Sequence, residues 1–238
     1  MEKTEILGVP VDITNVEEIL QCMKNTIKKN GKYSVISINL NKIIAFHEQK
    51  QIEEVVKSFD CYIPDGISVV RACDKLKNRI TGIDLFQEIC KNHQEIGTKI
   101  FLYGAEQEIV EKVKETLEKT YQGIQIVGIE NGFIKDNGQL IEKINHSGAN
   151  SVFIAMGSPK QEKWIYENKE KLQANIFMGV GGTFDVIAGK LKRAPLVFRK
   201  LGLEWLYRML REPFKRLKNI PLQLKYWYLI KIEKRKKE

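Results

Sequence analysis

The sequence predicts an α/β fold, a Rossmann-like parallel sheet with helices on both faces, followed by a basic amphipathic helical appendage. Three observations carry this reading. Apolar runs rich in β-branched and aromatic residues recur at 33–39 (YSVISIN), 99–104 (KIFLYG), 124–129 (IQIVGI), 151–157 (SVFIAMG) and 175–182 (NIFMGVGG). Stretches of helical period separate them, and glycine-containing turns lead from several runs straight into the next such stretch. Strands that are apolar throughout, rather than alternating, belong to sheets covered on both sides.

Taken in order, helices are predicted at about 15–29, 41–57, 83–94, 106–120, 137–147, 158–172 and 183–189, each with apolar residues spaced three and four apart. A short run, CYI at 61–63, adds a further strand end before PDG. After Arg193–Pro195 the pattern changes to basic amphipathic helix. This divides the chain into a body, 1–195, and an appendage, 196–238. Charge follows the same division. The net charge is +9, and residues 198–238 hold 13 Lys and Arg against 4 Asp and Glu, so the body is neutral and the appendage carries the whole excess.

Within LGLEWLYRMLREPFKRLKN (201–219), Leu203, Leu206, Tyr207, Leu210, Phe214 and Leu217 form one helical stripe. Arg208, Arg211, Lys215 and Lys218 form another. A face both apolar and cationic suits a membrane interface, where each Lys or Arg near anionic lipid contributes about 1 kcal/mol. Tyr226, Trp227 and Tyr228 add aromatics of the kind favoured at headgroup depth. Pro213 and Pro221 are expected to divide the appendage into short helices. Arg208, Arg211 and Arg216 have a second reading, folding over the body to hold diphosphates. Exposed apolar stripes also make a homo-oligomer in solution an expectation.

Cys22, Cys61, Cys73 and Cys90 lie singly, without a C-x-x-C pair, as expected of reduced thiols. The opening MEKTEILGVPVDI lacks the apolar run of a signal peptide, and no stretch approaches the roughly 18 apolar residues of a membrane span. The expected location is cytoplasmic, peripheral on the inner face of the membrane. His47, His93 and His146 have no ligand spacing, and no D-x-D follows a strand, so neither a metal nor another cofactor is expected.

In parallel sheets ligands bind beyond the carboxyl ends of the strands, so the residues that follow each strand are the candidates. Gly181, Gly182 and Thr183 at a strand-to-helix turn suit a diphosphate, with Gly104 as a second contact, although such glycines also serve as simple turn residues. Asp65, in IPDG, reads either as a general base or as a turn or helix-cap residue. Asn39 and Asn41 suit sugar hydroxyls or caps. Arg79 suits a phosphate or a pair with Asp84. Gln161 and Glu162 stand where helix capping is the alternative.

The ordered segments SINLNKI, IPDGISVV, RITGIDL, FLYGA, MGSPKQEKW, GVGGTFDVIAGKLKRAP and LGLEWLYRMLREP together resemble the WecG/TagA/CpsF glycosyltransferase family, over residues 5–217. The resemblance implies transfer of N-acetylmannosamine from UDP-N-acetylmannosamine to the 4-hydroxyl of GlcNAc on undecaprenyl diphosphate, as in wall teichoic acid synthesis. The β-linked product arises with inversion and without a metal. Members using UDP-N-acetylmannosaminuronate or UDP-glucose are the alternative. The resemblance places Asp65 as the base, Asn39 beside the sugar, Ser37 as a polar contact where relatives often have Thr, Arg79 at the leaving diphosphate and Gln161 at the donor. RACDKLKNRITG is shorter than in relatives, just before and around Arg79. Two unrelated functions are weighed against this. A nucleic-acid binder would use the basic tail, but the body is neutral. A nicotinamide-dependent oxidoreductase would need the G-x-G-x-x-G that is absent after the first strands.

Overall fold

The computed structural model describes residues 1–201, 203–211 and 220–237. It opens on an antiparallel hairpin, β1 (Glu2–Ile6) and β2 (Val9–Ile13). Its two-residue turn places both Leu7 and Gly8 at positive φ, 51° and 72°, the backbone that matches the twist of paired strands. Asp12 ties this hairpin to the edge of the main sheet, its buried carboxylate accepting the Tyr62 N–H at 2.7 Å. Burial pushes that carboxyl upward, partly offset by the Tyr62 bond and Lys3.

The main sheet comprises β3 (Tyr33–Ile38), β4 (Cys61–Pro64), β5 (Lys99–Gly104), β6 (Gln125–Glu130), β7 (Ser151–Ala155) and β8 (Ile176–Gly179), in the order β4-β3-β8-β7-β5-β6, all parallel. Alternate residues feed two separate cores. Phe101, Tyr103, Val152 and Ile154 enter one, with Trp164 and Ile165. Ile100, Leu102 and Phe153 enter the other, with Phe86, Val110 and Phe184. The predicted fold class is therefore the observed one. Because β3 and β4 lie to one side and β7, β5 and β6 to the other, strand order reverses around β3 and β8, where a crevice opens.

The helices follow the predicted order with several corrections. α1 spans Val16–Lys28, capped by the Asn15 side chain. The single helix expected over 41–57 is two, α2 (Leu40–Glu48) and α3 (Lys50–Lys57), because Gln49 between them is extended at φ −135°, ψ 104°. α4 (Ile67–Val70) is one turn; α5 (Gly82–Lys91) and α6 (His93–Ile96) replace the helix expected over 83–94. α7 (Gln107–Thr120) and α8 (Asn137–His146) follow. α9 (Lys160–Asn168) ends in a 3₁₀ turn, and α10 (Thr183–Ile187) begins right after the glycine turn that stops β8 at Gly179.

Further along the chain lie α11 (Leu196–Lys200), α12 (Glu204–Arg211) and α13 (Ile220–Lys237). Pro221 sits in the first turn of α13, where its missing N–H is harmless; Pro213 lies outside the described residues. Tyr226 corrects an expectation. It is fully buried with Ile230 in the core beside α2, and its hydroxyl donates to the Ser68 carbonyl at 3.1 Å. Lys225 pairs with Glu48 at 2.6 Å, and Glu233 accepts the Leu7 N–H at 3.2 Å. Leu224, Trp227 and Tyr228 on the same helix stay exposed. No helix among the described residues is long and apolar enough to cross a membrane. Tyr226→Ala removes the ring that seats α13, and it is expected to lower unfolding stability by about 3–5 kcal/mol. Thermal unfolding checks this.

Candidate active site

A cleft of about 810 Å³ opens at the carboxyl ends of β3, β4 and β8. Most of the candidates meet there: Ser37, Asn39, Asp65, Arg79, Gln161, Gly181, Gly182 and Thr183 all line it. Gly104 does not. Its φ is +118°, and a Cβ there would stand 2.6 Å from the Ala155 backbone, so its glycine serves the close approach of β5 to β7. Arg216 lies outside the described residues. Arg208 and Arg211 fall within α12, but their side chains are outside what is described.

Asp65 follows β4, its N–H donating to the Ile38 carbonyl at 2.8 Å. The next residue, Gly66, has φ +123° and takes the cap position of α4, so Asp65 is not that helix's cap. Ser37 stands across from Gly82, where a Cβ would lie 3.1 Å from its hydroxyl oxygen. Asn39 is a cap as well as a lining residue: its Oδ1 accepts the Lys42 N–H at 3.1 Å.

Arg79 does not make the pair with Asp84 that was one of its two sequence readings. It pairs with Glu204 of α12 and donates to the Arg199 carbonyl at 3.4 Å. Asp84 is held instead by Arg193 at 2.7 Å and by the Thr81 hydroxyl at 2.6 Å. Arg193 also stands 3.7 Å from Glu204. Glu204, Tyr207, Met209, Gln223 and Trp227 line the cleft, so segments from 204 onward form part of its wall.

The glycine turn after β8 is internally occupied. Gly181, at φ +53°, donates its N–H to Gln161 Oε1 at 3.0 Å. The Thr183 N–H and hydroxyl both go to the Val180 carbonyl, at 3.1 and 2.6 Å. The turn therefore presents fewer open donors than its glycines suggested. Gln161 and Glu162 are not caps, since Pro159 holds that position in α9. Gln161 Nε2 donates to Glu162 Oε1 at 3.1 Å, and Lys42 Nζ donates to the same oxygen at 2.7 Å. Burial alone would raise the Glu162 carboxyl, but the Lys42 charge and the Lys42 and Gln161 hydrogen bonds outweigh it and hold the group below its ordinary range. The stability linked to this shift is present above the ordinary carboxylate range and is lost as pH falls through the lowered titration.

Sequence reasoning missed Lys42, Arg193 and Glu204. Their partners lie up to 125 residues away, so local pattern holds no signal for them. Gly179 can be tested directly, because an added Cβ would stand 2.4 Å from Gln161 Nε2. Gly179→Ala is expected to eject Gln161 from the turn, breaking its bonds to the Gly181 N–H and to Glu162 and lowering unfolding stability by about 1–3 kcal/mol, which thermal unfolding checks. Among the described residues no cluster of three or more His, Cys, Asp or Glu could hold a metal ion.

A family model, "Glycosyl transferase WecG/TagA/CpsF family", matches residues 4–238. Among solved structures, a substrate-binding periplasmic protein from Ralstonia solanacearum is similar at 15% identity and a TM-score of 0.31. The match covers 75% of this chain and 53% of that one, so this chain spans about half the length of that protein; a likeness so weak carries no argument.

Proposed function

The chain belongs to the WecG/TagA/CpsF glycosyltransferase family, and from that premise we propose that it transfers N-acetylmannosamine from UDP-N-acetylmannosamine to the 4-hydroxyl of GlcNAc on undecaprenyl diphosphate. The family is one of cell-surface polysaccharide synthesis, and the proposed product is the β-1,4-linked disaccharide lipid of wall teichoic acid. The observation that carries the reading is the convergence of Asp65, Ser37, Asn39, Arg79 and Gln161 on one cleft at the strand ends.

In the proposed reaction the Asp65 carboxylate takes the proton of the acceptor 4-hydroxyl. That oxygen attacks the anomeric carbon from the face opposite the diphosphate, the bond to the diphosphate oxygen breaks, and UDP leaves with the bonding pair. Charge grows on UDP as it departs, and Arg79, with Gly182 and neighbouring backbone, is proposed to meet it. For Arg79 this means exchanging Glu204 for phosphate. No metal step is invoked. Arg208, Arg211 and Arg216 are proposed to reach the diphosphate of donor or acceptor, and the rest of the basic appendage to attach the protein reversibly to an anionic inner membrane surface. Exposed Leu196, Val197, Leu201 and Leu210 supply apolar area for that contact or, without membranes, for self-association.

UDP-N-acetylmannosaminuronate and UDP-glucose remain the alternative donors, with surface polysaccharide as the product. The test is UDP release with a GlcNAc-diphosphate-lipid analogue and each donor in turn, UDP-GlcNAc included. Turnover with UDP-N-acetylmannosamine alone is the expected result. Turnover with another donor moves the enzyme to another pathway, and none with any donor, membranes included, overturns the reading.

A further inference from the structure

A carboxylate oxygen in the cleft wall lacks a hydrogen-bond partner among the described residues. Glu162 is 3% exposed and lines the cleft. Its Oε1 receives both Lys42 Nζ and Gln161 Nε2. Its Oε2 is buried and has no hydrogen-bond partner among the described residues. A buried carboxylate oxygen without a donor is costly, and such groups persist where a ligand supplies what the protein withholds.

Fold stability does not account for the pair. A buried ion pair is commonly matched or exceeded by apolar side chains of similar volume, so Lys42 and Glu162 are a poor means of filling that space. Their position is more informative. Gln161 links Glu162 Oε1 to the Gly181 N–H, two hydrogen bonds from the turn assigned to the diphosphate. In a nucleotide sugar the glycosyl group is bonded directly to that diphosphate, which brings its ring substituents within reach of this wall.

We propose that Glu162 is a specificity-determining residue whose second carboxylate oxygen accepts a hydrogen bond from a hydroxyl or amide N–H of the donor's glycosyl group, while Lys42 fixes the first. This rests on the nucleotide-sugar reading above. Gln161 and Glu162, adjacent in sequence, then divide the donor between them. Gln161 shapes the diphosphate turn and Glu162 reads the sugar. A site built to satisfy a substrate donor discriminates strongly against ligands that lack it, because its own buried acceptor is then left unpaired.

The experiment is calorimetric binding of UDP and of UDP-N-acetylmannosamine, UDP-GlcNAc and UDP-glucose to the full chain. Glu162→Gln keeps the shape and the acceptor for Gln161, but it leaves the Lys42 ammonium buried without an anion. The double variant Lys42→Met with Glu162→Gln removes both charges and is the one expected to keep the fold. Glu162→Asp, which retains the charge and withdraws the oxygen by one methylene, is the second test. Thermal unfolding of each variant accompanies the titrations. UDP is expected to bind the variants as it binds the wild type. The sugar nucleotide preferred by the wild type is expected to lose roughly 10- to 150-fold, the range of one hydrogen bond to a charged group. Unchanged sugar-nucleotide affinity overturns the inference, and so does an equal loss for UDP, which would place Glu162 in support of the turn alone. Wild-type protein that binds neither UDP nor any sugar nucleotide overturns the donor reading itself, a result distinct from either.

Discussion

Asp65→Asn is expected to lower the rate of transfer to the lipid acceptor by about 10²–10⁴-fold, the usual contribution of a positioned general base, while donor affinity stays essentially unchanged. The substitution conserves shape and removes only charge and basicity. The strand end is held by the Asp65 N–H to Ile38, and the turn depends on Gly66 at φ +123°. UDP release under saturating donor, with calorimetry of the donor beside it, separates the two quantities. A base and an orienting carboxylate occupy the same position but differ in pH behaviour. With Asp65 as the base, the wild-type rate falls on the acid side and that limb is missing from the Asn variant. An Asn variant within a fewfold of wild type at every pH would remove Asp65 from the chemistry.

The parallel sheet was legible because its strands are buried on both faces and read as unbroken apolar runs. Phe101 and Leu102, or Val152 and Phe153, face opposite cores, so apolar residues stand at consecutive positions. The N-terminal hairpin escaped because EKTEI is polar and exposed at most positions; its one signal was Leu7-Gly8 between two short runs. The break between α2 and α3 was hidden by periodicity, since Ile43, Phe46, Ile52 and Val55 continue one pattern across Gln49. At the site, Asp65 and Asn39 were accessible to sequence reasoning because strand ends mark where ligands bind, whereas Ser37 came only from the family resemblance. The Lys42–Glu162 pair was not, because it joins residues 120 apart in the chain. Three consecutive aromatics, Tyr226, Trp227 and Tyr228, sweep most of the way round a helix, so period could not say which ring meets the body. The structure turns Tyr226 inward and leaves Trp227 and Tyr228 exposed.

Removing everything after residue 195 is expected to abolish turnover of the lipid-linked acceptor, but that variant alone does not isolate the cause. It deletes the cations proposed for the membrane, and it also deletes Glu204 from Arg79 and strips Tyr226 and Ile230 from the core beside α2. A loss of activity would then follow from either docking or folding. Replacing Arg208, Arg211, Lys215, Arg216 and Lys218 together by Gln distinguishes them, because it leaves those buried side chains in place. At about 1 kcal/mol for each cation near an anionic surface, neutralising all five is expected to weaken binding to phosphatidylglycerol vesicles by orders of magnitude, with little change in thermal stability. Turnover of acceptor embedded in those vesicles should fall with it. If only docking is lost, a soluble short-chain acceptor restores the rate. If the arginines also hold diphosphate in the cleft, the soluble acceptor remains slow and its KM rises. Wild-type vesicle binding that survives high salt would leave the apolar residues of the appendage, and not its charge, as the anchor.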